Sequence, residues 1–96
     1  MNKELNLFRI LGYYKVVDIL LLIDSRGSVR FNYVKHLFSI TSRGLQKKFY
    51  LLTDHNIIKK EVYYVPKMKN VKGYDVYVLT PYGKKLVKDI KKIIVK

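Results

Sequence analysis

An α+β fold, mainly helical, follows from three features of this 96-residue chain. The first is the stretch "ITSRGLQKKFYLL", residues 40 to 52, which reads as a short amphipathic helix. At about 100° per residue Leu45, Phe49 and Leu52 fall within roughly 60° of one another, and Ser42, Arg43, Gln46, Lys47 and Tyr50 take the opposite side. The second is a pair of runs rich in β-branched and tyrosyl residues, "IIKKEVYYV" and "YDVYVLT", joined by the lysine-rich "PKMKNVKG". The third is the closing segment "TPYGKKLVKDIKKIIVK", an amphipathic helix with a Thr-Pro start.

Residues 4 to 25, "ELNLFRILGYYKVVDILLLIDS", form a mostly apolar segment in which Val16, Ile19, Leu20 and Ile23 recur at helical spacing, with a break expected at Gly12. "SRGS" is a turn, and "VRF" is a strand stub leading to Asn32, whose side chain suits the N-cap of a brief helix "YVKHLF". "SIT" then separates this helix from the next by the short connection of a helix-turn-helix. Thr41 can cap that third helix, and Asn56, which tolerates left-handed geometry, supplies its stop. The two runs after Asn56 alternate as a two-stranded ribbon with one buried side. Its tip carries Lys67, Lys69 and Lys72 with no acid, and Pro66 and Gly73 punctuate it. In the last segment Thr80 caps and Pro81 occupies the first helical position. Tyr82, Leu86, Val87, Ile90, Ile93 and Ile94 fill one arc of this helix, and Lys84, Lys85, Lys88, Lys91 and Lys92 fill the other. The order helix, strand stub, helix, helix, strand, strand, helix is that of a winged helix-turn-helix: a three-helix core, a two-stranded wing and a C-terminal helix. A chain of this length has room for one modest core, so a single domain over residues 1–96 is expected.

Composition narrows the function classes. Lys and Arg number 20 against 7 acids, a net charge of +13 with a pI near 10.0, which draws the chain to polyanions. Lysine that merely maintains solubility normally comes with comparable glutamate, which is missing here. With no cysteine, disulfides, thiol redox chemistry and cysteine metal sites are excluded, and His36 and His55 alone do not make a metal site. The acids Glu4, Asp18, Asp24, Asp54, Glu61, Asp75 and Asp89 are scattered, and no serine or threonine stands beside a histidine base. The expectation is therefore a non-enzyme without metal or cofactor. "MNKELNLFRI" lacks the apolar stretch of a secretory signal, and "ILLLI" is too short to cross a bilayer, so a soluble intracellular protein is expected. The basic amphipathic last helix leaves one rival, a helix lying on an acidic membrane surface.

The stretch from Arg30 to Leu86 resembles the HxlR-type winged-helix regulators of the wider MarR-like and PadR-like group. "RFNYVKHLFSIT" looks like the family's Arg-Phe-Asn opening of its second helix and the Ile-Ser that begins the third. "LQKKFYLLTDHNII" follows its Leu-x-x-x-Leu-x-x-Leu frame. "VYYVP" and "YDVYVLTPYGKKL" are similar to its second strand with a proline and its Tyr-x-Leu-Thr-x-x-Gly start of the last helix. Gly44 departs from the pattern by standing where a larger residue is usual, and Asn56 replaces the usual Gly. The resemblance implies a cytoplasmic homodimeric transcriptional regulator of a prokaryote, or of a virus infecting one, with its third helix in the major groove and its wing on a neighbouring groove or the backbone. Members that sense thiol stress use cysteine, so this chain is not a sensor of that kind.

On that basis Ser42, Arg43, Gln46, Lys47 and Tyr50 are the groove-facing residues. Arg43 and Gln46 have the paired groups that match guanine and adenine edges. Lys47 and Ser42 suit phosphates, and Tyr50 a phosphate or sugar. Lys67, Lys69, Asn70 and Lys72 of the wing would bind phosphate or lean into a minor groove. Arg30 and Asn32 lie near the amino end of the second helix, where backbone amides favour phosphate. Tyr82, Leu86, Ile90, Ile93 and Ile94 exceed what a terminal helix needs to cover a small core, and a dimer made with the first helix is the expectation. Sequence-indifferent DNA coating, or a winged helix serving RNA or protein, accounts for the charge equally well.

Overall fold

The computed structural model describes residues 3–64 and 73–94. In chain order these form α1 (Lys3–Leu11), α2 (Val16–Arg26), α3 (Phe31–Leu37), α4 (Ser42–Asp54), β1 (Ile58–Tyr63), β2 (Tyr74–Leu79) and α5 (Pro81–Ile94). The architecture is the winged helix-turn-helix, with α2, α3 and α4 as the three core helices and β1-β2 as the wing. The expected third helix is thus α4.

The apolar amino-terminal segment divides at Gly12, as its sequence indicates. The Gly12 amide donates to the Phe8 carbonyl at 3.1 Å, and Lys15 in left-handed geometry (φ 63°) turns the chain into α2. That turn sets the phase of α2, so that Val16, Ile19, Leu20 and Ile23 are all buried. Leu45, Phe49 and Leu52 of α4 close on them, and Val34, Ile57, Ile58, Leu79 and Val87 complete the core. Helical period and burial agree in both helices, which places the polar side of α4 outward without further adjustment.

The start of α3 corrects the expected cap. Arg30, extended at φ −95° and ψ 148°, holds the cap position with no side-chain hydrogen bond, and Asn32 lies inside the first turn. Two contacts fix this phase. Val29 exchanges both backbone bonds with Tyr77 of β2, at 3.0 and 2.8 Å, so the stub ends there. Phe31 packs edge-on against Phe49, with centroids 5.7 Å apart, and must already be helical to do so.

The cap of α4 is as expected: the Thr41 hydroxyl accepts the Gly44 amide at 3.1 Å. Thr41→Ala should cost about 1 kcal/mol, read as a lower urea midpoint at unchanged slope; no change would mean that solvent satisfies the amide equally well. The helix ends at Asn56 (φ 60°), with the Asn56 amide on the Thr53 carbonyl and the Ile57 amide on that of Leu52. This pair of bonds is the Schellman arrangement.

The strands pair antiparallel from Ile58↔Leu79 to Tyr63↔Tyr74. The expected buried side exists only at their root. Ile58 is buried on β1, whereas Lys59 to Tyr63 are exposed, and β2 buries Val76 and Leu79. Beyond the first pair the helices flank β1 only across open clefts, with α4 opposite Lys60 and α2 and α5 opposite Lys59 and Glu61, so its side chains stay exposed. The tip lies outside the described residues. At the base of the wing, Thr80 joins three elements. Its hydroxyl accepts the Gly83 amide at 2.9 Å, capping α5, and its proton goes to the carbonyl of Asn56 or Ile57. An ion pair between Lys91 and Asp24 ties α5 to α2.

Candidate nucleic-acid interface

Because Leu45, Phe49 and Leu52 turn inward, the opposite face of α4 is left to solvent. Ser42, Arg43, Gln46, Lys47 and Tyr50 are all exposed there, Tyr50 by 69%. Among the described residues none of the five enters a side-chain hydrogen bond or ion pair. The structure therefore brings these five expected residues together on one open face. Two cations, one amide and two hydroxyls stand on a rigid helix with no acid among them.

On one flank, α4 faces the wing across an open cleft of about 450 Å³. Gln46 and Tyr50 line it from the helix, and Lys60 and Asp75 line it from the strands. Its floor is aromatic: Phe49 touches Phe31 at 5.7 Å and Tyr77 at 4.5 Å between ring centroids. Lys60 and Asp75 form a cross-strand pair at 3.9 Å, so exposed that it contributes less than about 1 kcal/mol. Arg30 stands at the amino end of α3, as expected, and lays its guanidinium over the Tyr74 ring at 4.3 Å. This contact holds its charge beside the wing, at the strand pair farthest from the root. Asn32 is exposed on the first turn of α3. Lys67, Lys69, Asn70 and Lys72 lie outside the described residues.

On its other flank α4 meets the turn between α1 and α2. Tyr13 and Tyr14 stand there against Gly44, Lys47, Lys48 and Leu51 across a second cleft of about 320 Å³. Sequence reading missed this neighbourhood. Tyr13 and Tyr14 sit some thirty positions before α4, and no local pattern in the chain signals the approach. The acids do little to offset the basic field. Asp18, Asp24, Glu61 and Asp75 pair with lysines, and Asp54 stands 3.9 Å from His55.

The apolar arc of α5 is split by the fold. Val87 is buried and Leu86 packs against the core, Ile90 is half-buried, and Tyr82 and Ile93 are exposed, Ile93 by 73%. The Ile94 side chain lies outside the described residues, although its backbone ends the helix. On α1, Phe8 is 72% exposed, so both terminal helices present uncovered apolar side chains. No helix among the described residues is long and apolar enough to cross a membrane.

The reduced form of the transcriptional regulator YodB from B. subtilis superposes with a TM-score of 0.76 at 20% identity, over 97% of this chain and 86% of that one. The diamide-treated form of YodB gives 0.70 at 20% identity, over 97% and 87%. A transcriptional regulator homologue from Pyrococcus horikoshii OT3 gives 0.69 at 21% identity, over 96% and 91%. The likeness is one of fold. No protein-family model matches the chain, and no curated protein does. Near-complete coverage in both directions makes the similarity one of whole chains, terminal helices included, rather than of the helix-turn-helix alone.

Proposed function

We propose that this chain is a sequence-specific double-stranded DNA-binding transcriptional regulator of the HxlR-like kind. In this reading α4 enters the major groove and the basic wing lies on the backbone or in a minor groove. The observation that carries the reading is the open, acid-free face of α4. Arg43, Gln46, Lys47 and Tyr50 share one exposed side of the helix, with no partner among the described residues and no acid between them, a face that suits a polyanion. Arg43 and Gln46 read base edges, while Ser42, Lys47 and Tyr50 fix the helix on phosphate and sugar. Arg30, Asn32 and the wing residues Lys67, Lys69, Asn70 and Lys72 add salt-sensitive backbone contacts. The solved regulators with the same fold support the class of function, and the net charge of +13 supports the class of partner.

The protein acts as a homodimer in this reading. Tyr82, Leu86, Ile90, Ile93 and Ile94 of α5 supply the interface together with α1, and the uncovered Ile93 and Phe8 favour it. A two-fold pair places its reading helices about one DNA turn, roughly 34 Å, apart and demands a palindromic site. Selection of bound duplexes from a random pool tests these points at once. The expected result is a symmetric pair of half-sites retained far above random duplex. A specific-to-random ratio near one would replace regulation with sequence-indifferent coating. Failure to retain any duplex would leave RNA or protein as the partner.

A further inference from the structure

We propose that the turn between α1 and α2 is a second backbone-gripping edge. Tyr13 and Tyr14, together with Lys48 of α4, would hold a phosphodiester strand on the side of α4 away from the wing. This proposal rests on the DNA-binding reading of α4 and adds a contact to it.

The turn displays two tyrosines in succession, both exposed. Lys15 in left-handed geometry swings the chain so that Val16 is fully buried while Tyr13 and Tyr14 remain 41% and 64% exposed. Their rings do not complete the core. They wall one side of a cleft whose other side is Lys47 and Lys48 and whose lining includes Gly44. The chemistry is one-sided: two lysines and two tyrosines line the cleft, and no acid does. The acid on the same stretch, Asp18, is held by Lys15 at 3.8 Å, and Lys15 also lies 5.4 Å from the Tyr14 ring centre. Gly44 contributes by what it lacks. A Cβ there would meet Thr41 Oγ1 at 3.0 Å, and a larger side chain would project into the cleft.

A polyanion strand is the occupant that this set of groups fits. Lysines supply charge without directional demand, and phenols donate hydrogen bonds to phosphate oxygens. Position argues for the same partner. Lys47 belongs both to the outward face of α4 and to this cleft, so a duplex seated on the first brings its backbone to the second. The wing borders the opposite flank. Helix α4 would thus be braced on both sides, with contacts that carry no sequence information on the turn side.

The test uses the whole protein and the duplex recovered by selection, with random duplex alongside. Tyr14→Phe combined with Lys48→Gln should weaken binding to both duplexes by about the same factor, on the order of tenfold. The slope of log affinity against log salt should fall by about two units, one for the Lys48 of each protomer, with the specific-to-random ratio unchanged. Lys48→Arg should bind as the parent does. Hydroxyl-radical footprints should lose protection at sugars on one flank of each half-site only. Parental affinity and salt slope in the double variant, at parental melting temperature, would overturn the turn contact and leave the α4 reading standing. A changed base preference would also overturn it, because it would make this edge a reader of sequence. Loss of duplex binding by the parent protein would remove both readings together.

Discussion

Replacing Gly83 by alanine is expected to destabilise the fold by about 2–3 kcal/mol, even though alanine is the better helix former. Gly83 lies in the first turn of α5, and its Cα side is pressed against the chain that leaves α4. A Cβ built there falls on the Ile57 carbonyl oxygen, which belongs to backbone and cannot swing aside. Ile57 is itself fully buried, and its carbonyl already accepts the Thr80 amide at 3.0 Å. To admit a methyl group, α5 would have to lift, breaking the Thr80 bonds and exposing Val87. The melting temperature should fall by roughly 10–20 °C for a domain of this size. Gly44→Ala is the built-in control. There the added carbon meets a side-chain hydroxyl at 3.0 Å and not backbone, and the gain in helix propensity offsets the crowding to within about 1 kcal/mol. Equal melting temperatures for the two variants would show that α5 does not close on Ile57 in solution.

Arg43→Ala is expected to weaken binding to the best DNA site by about 1–3 kcal/mol and to relax base preference at one position of each half-site. Arg43 is the second residue of α4 after the Thr41 cap, exposed and without an ion-pair partner among the described residues. Its removal therefore leaves stability nearly unchanged, and the whole effect appears in binding. A guanidinium can place two parallel donors on a guanine edge, which an ammonium cannot. Arg43→Lys should accordingly keep the parental affinity for random duplex while leaving the base preference relaxed. Competition with a series of single-base variants of the site reads both quantities. Equal loss on every duplex would move Arg43 from base to phosphate and would leave Gln46 as the residue that reads sequence.

Local chemistry was legible wherever one or two side chains decide the backbone. Thr41 and Thr80 cap as their sequence context predicts, Asn56 adopts the left-handed stop, and Gly12 divides the amino-terminal segment. Period alone assigned the inner and outer faces of α4, which is why the candidate reading residues share one open surface. Readings that depended on a distant partner fared less well. Asn32 lost the cap to Arg30 because Phe31 has to meet Phe49, eighteen positions away, and no N-cap preference weighs such a contact. The one-sided ribbon holds in β1 only at Ile58, because alternation reports what a strand could bury and not how closely the flanking helices approach it. The approach of Tyr13 and Tyr14 to α4 leaves no trace in either segment.

The hydroxyl of Thr80 acts as a rivet. It grips the first turn of α5 with its lone pairs and the exit from α4 with its proton, while Gly83 removes the clearance that would let the two slide. A tilt imposed on the carboxyl-terminal helix would bear on the exit from α4 through these bonds. In a pair of copies joined through α5, the separation of the two reading heads would be set by how those helices cross.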